Sequence, residues 1–230
     1  MIGIIGAMEE EVAALKSEMA DAKVTEFASM TFYKGTLCGK DTVVVRSGIG
    51  KVNAAICAQI LVDKFGVDTL INTGIAGSLD ARIDIGDMVI STDAVHHDMD
   101  ATIFGDAIGQ VPRMDTRTFP ADPNLVELAV KANEKANPQI HTFTGRVASG
   151  DQFISSGEVK ARIVENFQAL CTEMEGAAIA QVSYLNKVPF VILRTISDKA
   201  DDSATMDYPA FEKLAIANNV KVMKELVANI

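Results

Sequence analysis

Residues 1–12 read MIGIIGAMEEEV, a short apolar run that passes through a glycine turn into three consecutive glutamates. The run Met1–Ile5 predicts a buried strand, and a strand–glycine–helix junction is a common place for binding anions. Glu9, Glu10 and Glu11 would instead repel an anion. Acidic side chains in a first helical turn stabilise the helix by about 0.3–1 kcal/mol each, which accounts for two of the three. The third is a candidate for chemistry.

The same strand-to-helix alternation continues through all 230 residues. The predicted strands are Met1–Ile5, Thr31–Leu37, Thr42–Arg46, Thr69–Asn72, Asp87–Val95, Ile140–Ala148 and Pro189–Arg194. The predicted helices are Glu9–Met19, Val52–Phe65 ended by Gly66, Asn124–Ala136, Glu158–Asn166, Gly176–Asn186 and Pro209–Val227. The stretch NTGIAG (72–77) is interpreted as a second glycine turn, and residues 99–122 as irregular.

This pattern predicts an α/β fold in one domain, residues 1–230, with a central mixed sheet and helices on both faces. It is therefore a three-layer α/β/α arrangement. Ligands in such folds bind outside the carboxyl ends of the strands. The sequence places glycines and carboxylates directly after most of the predicted strands, which is where we expect the site.

Net charge, the length of apolar runs and the number of cysteines limit the classes of binding partner and the cellular location that we expect. The formal net charge of -10 argues against nucleic acid and anionic membrane surfaces, while small ligands stay open. No apolar run is long enough to cross a membrane, and the N-terminus does not resemble a signal peptide. The three cysteines, Cys38, Cys57 and Cys171, are far apart, which predicts reduced thiols and a cytoplasmic location.

Four carboxylates stand at predicted strand ends or helix starts. Besides Glu11, these are Glu173 and Glu175 in CTEMEG and Asp198 in RTISD. A solvated helix start would explain one member of the glutamate pair, and Asp198 could simply cap the next segment. Together, however, separate carboxylates suit acid–base cleavage of a glycosidic bond, in which one protonates the leaving group and another activates water.

A metal site is the rival interpretation of HHDMD, with His96, His97, Asp98 and Asp100 as ligands. Adjacent residues on a strand point to opposite faces, so the two histidines cannot readily share an ion. We therefore expect neither a metal nor a cofactor.

Six motifs, GIIGAMEEEV, SGIGKVNAA, NTGIAG, SGDQFI, EMEGAAIAQV and RTISD, resemble those of the 5'-methylthioadenosine/S-adenosylhomocysteine nucleosidases. This family lies in the purine nucleoside phosphorylase superfamily, and the resemblance covers nearly the whole chain. It implies a nucleoside phosphorylase-like fold and hydrolysis of the N-glycosidic bond of 5'-methylthioadenosine and S-adenosylhomocysteine, and also of 5'-deoxyadenosine. The products would be adenine and the 5'-substituted sugar.

The resemblance also implies roles for individual residues. Asp198 would be the general acid at purine N7, and Glu11 would activate water. Glu175 and the backbone of Met174 would hold the ribose hydroxyls, with Arg194 as the cation nearby. The other residues implied at the substrate site are Phe153 stacked on the base, the backbone of Ile154 at the base edge, Ser197 and Ile75 beside the acid, and Met8, Ile49 and Tyr208 around the 5'-thio group. Phe104 and Pro112 would enter the neighbouring subunit's site, which implies a homodimer with a shared 5' subsite.

Some positions depart from the relatives. Many phosphorylases have arginine where this chain has Asn72, which favours water over phosphate. Ile75 replaces a common serine and so removes a possible hydrogen bond to Asp198. His96 replaces a tyrosine and Asp106 an aromatic residue near the 5' entrance. Three alternatives stay open: a phosphate-dependent purine nucleoside phosphorylase, an aminodeoxyfutalosine hydrolase and a nucleoside sensor without turnover.

Overall fold

Ten strands and six helices make up the chain, and the computed structural model describes residues 1–230. The strands are β1 (Ile2–Gly6), β2 (Ala20–Phe27), β3 (Met30–Leu37), β4 (Lys40–Arg46), β5 (Thr69–Ser78), β6 (Met88–His96), β7 (Phe119–Pro120), β8 (Thr142–Ser149), β9 (Cys171–Glu173) and β10 (Phe190–Asp198). The helices are α1 (Glu9–Ser17), α2 (Lys51–Ile60), α3 (Pro123–Ala136), α4 (Gly157–Phe167), α5 (Gly176–Asn186) and α6 (Ala204–Asn229).

All ten strands belong to one mixed sheet, which confirms the predicted α/β fold. The order is β10-β6-β8-β9-β5-β1-β4-β3-β2, and β7 pairs with β6. Because β10 also pairs with β5, the strands β5, β10, β6, β8 and β9 close on themselves, while β1, β4, β3 and β2 extend the sheet from β5. The closed half curls around the carboxyl ends of β5 and β10.

Two hydrophobic cores cover the two faces of the sheet, as the three-layer prediction requires. Successive strand residues alternate between the cores: Ile5 and Val45 pack with α2 and α5, whereas Ile4 and Val44 pack with α1, α3 and α6. The small residues of α5, such as Ala177, let that helix lie close to the strands. A third, smaller core lies under α4 and contains Ile154.

The glycine turn predicted at NTGIAG is wrong. β5 runs without a break from Thr69 to Ser78 and is buried throughout, and its pairing with β1 ends at Asn72. β10 likewise continues through RTISD to Asp198, beyond the predicted end at Arg194. These two strands pair in parallel along their whole length, which supplies the backbone hydrogen bonds that a glycine-rich segment would lack alone.

Other boundaries also differ from prediction. β2 and β9 were not predicted, because β2 is polar and mostly exposed and β9 is only three residues long. α6 begins at Ala204 and carries Pro209 inside it, although a proline usually marks a helix start. α2 continues into one wider π-type turn, Leu61–Phe65, and Gly66 ends it with φ of 63°, as predicted. Residues 99–122 are irregular apart from a 3-10 turn at Thr102–Phe104 and β7.

The topology brings several carboxylates to one place. Glu11 lies in the first turn after β1, Asp198 is the last residue of β10, and Glu173 is the last residue of β9. The carboxyl ends of these strands meet beside the long end of β5. None of the helices combines the length and apolarity that crossing a membrane requires.

Candidate active site

A cavity of about 210 Å³ lies at this meeting point. Nine of its 17 lining residues are hydrophobic, and four acidic side chains reach it, which is the usual make-up of a small-molecule site. The cavity is lined by Ala7, Met8, Glu11, Ile49, Ile75, Ala76, Gly77, Gln152, Phe153, Ile154, Thr172, Glu173, Met174, Glu175, Ser197, Asp198 and Tyr208.

Glu11 is the buried member of the N-terminal glutamate triplet, whereas Glu9 and Glu10 are exposed. Its carboxylate accepts three backbone hydrogen bonds: from the N–H groups of Ala7 (2.7 Å) and Met8 (2.9 Å) to Oε2 and from Ile75 (3.2 Å) to Oε1. Burial raises the pKa of Glu11, while Arg194 and the three N–H donors oppose that rise. A carboxylate held this way has a fixed orientation without a direct ion pair.

Asp198 is held in the same manner at the end of β10. The Ala200 N–H donates to Oδ1 at 2.8 Å, and the Ser197 hydroxyl donates to Oδ2 at 2.8 Å. A β-bulge at Ser197 separates the pairs Ile196–Ala76 and Asp198–Gly77, and bulges commonly re-aim side chains beside sites. Burial raises the pKa of Asp198, which favours the protonated form that a general acid needs.

Both oxygens of Asp198 therefore have donors despite the isoleucine at position 75. The hydrogen bond predicted to be lost through Ile75 is replaced by donors from Ser197 on β10 and from Ala200 just after it. Ala200 adopts a left-handed conformation with φ of 51°, and Lys160 donates to the carbonyl of Lys199 at 2.5 Å, on the same peptide group. The backbone that holds the acid is thus fixed from behind by α4.

Two glycines of NTGIAG make room for the two carboxylates. A methyl group at Gly74 would lie 2.5 Å from Glu11 Oε1, and one at Gly77 would lie 2.7 Å from Asp198 Oδ1. Neither glycine has a positive φ, so the requirement is space rather than backbone freedom. The motif is therefore a strand in which Gly74 leaves space for the carboxylate of Glu11 and Gly77 leaves space for that of Asp198.

Arg194 is the buried cation behind the cavity, and its residue is only 1% exposed. Its Nη2 donates to Asn72 Oδ1 at 2.5 Å and to Glu173 Oε2, and lies 4.0 Å from Glu175 Oε2. Burial lowers the pKa of Arg194, but the charges of Glu173, Glu175 and Glu11 outweigh it and raise the pKa, so the guanidinium stays charged. A buried charge is tolerated only with partners of this kind.

Glu173 and Glu175 are both buried, so neither is a solvated helix start. Glu173 accepts from the N–H groups of Glu175 and Gly176 at the beginning of α5 and from the hydroxyl of Ser149. Glu175 Oε1 accepts the Gly50 N–H at 2.8 Å. Burial first, and then the neighbouring Glu173, raise the pKa of Glu175, while Arg194 and the Gly50 N–H oppose that rise.

Three loops meet on the side of the cavity near Glu175. Gly50 has φ of 97°, a conformation that favours glycine, and it presents its N–H to the Glu175 carboxyl. Asp151 accepts the Lys51 N–H at the start of α2, and Asp98 accepts both the Lys51 ammonium at 2.5 Å and the Asp151 N–H. The loops after β4, β6 and β8 are therefore tied to one another.

The open end of the cavity is apolar. The Tyr208 hydroxyl donates to Glu212 Oε1 at 3.1 Å and lies 3.3 Å from the sulfur of Met8. The Tyr208 and Phe153 rings meet edge to face with centroids 5.8 Å apart. Ile49 and Phe153 are about half exposed at the rim. This end suits an apolar substituent and an aromatic ring.

The structure brings most of the predicted site residues together. Eleven of them line the cavity, and Arg194 lies directly behind it. Phe104 and Pro112 do not line it and are exposed, so their predicted place in a neighbouring subunit stays a prediction. Asn72, noted in the sequence only as a departure from phosphorylases, is an Arg194 partner. Glu173 was not assigned a site role, although its position between a buried strand and Gly176 could have indicated one.

The candidate metal ligands of HHDMD point to different partners. His96 Nε2 contacts Gln181, His97 packs against Gly150, Asp98 binds Lys51, and Asp100 caps the turn at Thr102. No group of three or more His, Cys, Asp or Glu side chains is arranged to hold a metal ion. The metal interpretation therefore has no geometric support.

Replacing Arg194 with methionine should destabilise the fold strongly. The change leaves Glu173 buried without its cation, and breaking a buried pair in this way costs about 3–5 kcal/mol. Urea unfolding followed by far-UV circular dichroism measures the loss. Arg82→Met is the matched control, since Arg82 pairs with Asp80 at the surface, and it should leave the urea midpoint unchanged. Equal midpoints for the two variants would contradict a central role for Arg194.

The comparisons with known proteins agree with this geometry. The family model described as "Phosphorylase superfamily" matches residues 1–228. A 5'-methylthioadenosine/S-adenosylhomocysteine nucleosidase of Staphylococcus saprophyticus is 45% identical over 233 residues, covering 100% of both chains. The chain is also similar to a futalosine hydrolase structure from Helicobacter pylori, with 33% identity, a TM-score of 0.94 and coverage of 100% of this chain and 97% of that one.

Two further solved structures are named as nucleosidases with bound ligands. The Neisseria meningitidis enzyme in complex with methylthio-immucillin-A has a TM-score of 0.95 and 40% identity, covering 100% of this chain and 99% of that one. The Colwellia psychrerythraea enzyme in complex with adenine has a TM-score of 0.94 and 42% identity, covering 98% and 93%. The chain therefore belongs to the 5'-methylthioadenosine/S-adenosylhomocysteine nucleosidases, within the phosphorylase superfamily.

Proposed function

We propose that this chain hydrolyses the N-glycosidic bond of 5'-methylthioadenosine and S-adenosylhomocysteine and releases adenine. One observation carries the proposal: two buried carboxyl groups, Glu11 and Asp198, line the same cavity from different strand ends. Acid and base on separate elements are what cleavage of a glycosidic bond by water requires. The names of the relatives identify the substrate class.

Asp198 acts as the general acid. In its protonated form it donates to N7 of adenine, so that the base leaves without a full negative charge. Once the proton has gone, the carboxylate keeps the hydrogen bonds from Ser197 and Ala200, which stabilise the anion. Burial raises the pKa of Asp198 and so favours the protonated form before the bond to adenine breaks, as a general acid requires.

Glu11 orients and activates the attacking water. Three backbone N–H groups fix its carboxylate, and Arg194 favours its charged form. The water attacks the sugar carbon as the bond to adenine breaks and positive charge develops on the ribose. A nearby carboxylate stabilises that charge as well as accepting the proton of water.

The remaining lining residues hold the substrate. Glu175, together with the backbone of Met174, binds the ribose hydroxyls, and Gly50 and Arg194 fix the position of its carboxyl group. Phe153 stacks on the base, and the backbone of Ile154 meets the base edge. The apolar rim of Met8, Ile49 and Tyr208 takes the 5'-thio substituent.

Water is a better acceptor here than phosphate. Arg194 is the cation behind the cavity, and it is already engaged by Glu173, Asn72 and the nearby Glu175. A phosphate dianion would meet the carboxylate of Glu11 with no free guanidinium to neutralise it. The geometry therefore favours hydrolysis over phosphorolysis.

Adenine release from 5'-methylthioadenosine tests the reaction directly. We expect release in phosphate-free buffer with free methylthioribose as the sugar product, and no acceleration when phosphate is added. Chromatography with identification of the sugar distinguishes methylthioribose from its 1-phosphate. Release that depends on phosphate would overturn hydrolysis, and a stable complex with no release in either buffer would indicate a nucleoside sensor.

The isosteric variants Asp198→Asn and Glu11→Gln test the two carboxyl roles. Each should lower kcat by at least about 10²-fold, the lower end for a positioned acid or base. Asp198→Asn should retain the circular dichroism spectrum of the unmodified chain. Asp41→Asn, a control at an exposed position of β4 outside the cavity, should keep kcat within about twofold. Near-normal turnover of either test variant would remove its assigned role.

An aminodeoxyfutalosine hydrolase is the second candidate, because the chain is also similar to a futalosine hydrolase. That substrate would present a larger polar group where methylthioadenosine has a thioether. The apolar contacts among Met8, Tyr208 and Phe153 favour the thioether. We therefore expect kcat/KM to be higher for 5'-methylthioadenosine than for aminodeoxyfutalosine, and measuring both values distinguishes the two candidate functions.

We also propose a homodimer, in which Phe104 and Pro112 of one copy reach the 5' subsite of the other. The side chain of Phe104 stands free, 86% exposed, on the turn after β6. Further large apolar side chains are exposed on this turn and on α2 and α5, which pack together. They are Ile103, Val52, Ile56 and Leu185.

Ile56→Glu tests the proposed interface. A charge buried between two copies should convert a dimer to a monomer in sedimentation velocity and lower kcat/KM by about tenfold or more. Val24→Glu is the matched control, because Val24 is similarly exposed but lies on the edge strand β2. If both variants sediment like the unmodified chain, this face is not the interface.

A cytoplasmic location stays part of the proposal. All three cysteines are unpaired, and Cys57 and Cys171 are buried with thiols whose pKa is raised by desolvation. Such thiols resist oxidation but form no stabilising cross-link. This arrangement agrees with a reducing compartment.

A further inference from the structure

Asn219 is a buried side chain on α6 that does not line the cavity, and the mechanism above makes no use of it. Both the nitrogen and the oxygen of its amide form a hydrogen bond with β5. Nδ2 donates to the carbonyl of Gly74 at 2.7 Å, and Oδ1 accepts the hydroxyl of Thr73 at 2.6 Å. Asn219 therefore links α6 by two hydrogen bonds to Thr73 and Gly74, the part of NTGIAG that lies beside Glu11.

The peptide that Asn219 holds is the one that supports Glu11. The Gly74 carbonyl and the Ile75 N–H belong to the same peptide group, and that N–H donates to Glu11 Oε1 at 3.2 Å. The chain contains no cis peptide, so the C=O and N–H of this group point in opposite directions. A donor on the carbonyl polarises the peptide and strengthens the N–H as a donor.

Strand pairing holds this peptide from one side, where β10 pairs with Gly74 and Ile75. β1 pairs with β5 only as far as Asn72, so Glu11 takes the Ile75 N–H beyond the end of that ladder. A small gap bounded by Glu11, Gly74 and Asn219 has no room for a water molecule. Water therefore cannot replace the amide unless the side chain is shortened.

We propose that Asn219 is a positioning residue, which fixes the Gly74–Ile75 peptide and through it the orientation and basicity of Glu11. This inference rests on the proposed role of Glu11 as the water-activating base. It predicts a defect in the chemical step rather than in substrate binding, because Asn219 touches no part of the cavity wall that would meet the substrate.

The test variant is Asn219→Leu, which keeps the volume and removes the donor. We expect kcat for adenine release from 5'-methylthioadenosine to fall by about tenfold or more, with KM within about threefold. Adenine affinity, measured by calorimetry, should change by less than about twofold. Asn219→Ala, which leaves space for a water to bridge, should show a smaller loss of kcat and serves if the leucine variant fails to fold.

The matched control is Asn133→Leu. Asn133 is also a buried, doubly bonded asparagine: it donates to Thr142 Oγ1 at 2.8 Å and accepts from Asn137 Nδ2 at 3.0 Å, but it lies between α3 and β8. It should lose stability as Asn219→Leu does, and yet keep kcat within about twofold. If both variants lose stability and neither loses kcat, Asn219 is only structural and the inference is overturned.

A pH profile adds a readout that a structural role would not move. The groups facing Glu11 are Arg194 from β10, Glu175 before α5, Tyr208 from α6 and the backbone N–H groups. The Ile75 N–H lowers the pKa of Glu11, so weakening that bond raises it. Since a base must be ionised, the acidic limb of kcat should move to higher pH in Asn219→Leu. An unmoved limb would contradict the proposal.

A double variant separates this inference from the role of Glu11 itself. In a Glu11→Gln background, Asn219→Leu should cause less than about a twofold further loss of kcat, because the group that it positions is already gone. A full additional loss would show that Asn219 acts elsewhere. If Glu11→Gln alone turns over normally, the assigned base is wrong; if Glu11→Gln is inactive and Asn219→Leu is normal, only the positioning role fails.

Discussion

The site depends on one buried cation, Arg194, enclosed by carboxylates that the sheet delivers from different strand ends. Without it, the pair formed by Glu173 and Glu175 would leave uncompensated charge in a dry interior. With it, Glu173 is neutralised while Glu175 keeps a raised pKa. The guanidinium therefore supports the site from behind and is not available as an anion receptor.

The two proposed catalytic carboxyl groups are held mainly by the backbone instead of by cations. Glu11 receives three N–H donors and Asp198 receives one N–H and one hydroxyl, and neither makes a direct ion pair. A close cation would lower the pKa of a general acid and keep it ionised at neutral pH. Neutral hydrogen-bond donors fix the position of each carboxyl group but lower its pKa less than burial raises it, so the pKa of both groups is raised.

Apolar periodicity predicted the fold class and strand-end carboxylates pointed to the acidic groups, because both are local signals. The resemblance to the nucleosidases, and not the residue pattern itself, supplied the other predicted lining residues, so that eleven of the 17 were named in advance. The sequence wrongly predicted a turn at NTGIAG, because glycine most often marks a position where the backbone needs a turn conformation that other residues avoid. Here Gly74 and Gly77 matter for space that only the tertiary structure reveals. Glu173 and Asn219 were missed for the same reason: a buried polar side chain is defined by its partners, which lie far away in sequence.

The space at Gly74 also explains why an acidic turn follows β1. The chain turns at Gly6 as an anion-binding loop would, but its Ala7 and Met8 N–H groups are already occupied by the carboxylate of Glu11. Gly74 lets that carboxylate lie against β5, where the Ile75 N–H completes its binding. The anion that the loop holds is thus part of the protein. Because its own glutamate occupies the Ala7 and Met8 N–H groups, the loop does not offer these donors to phosphate and presents a base to water instead.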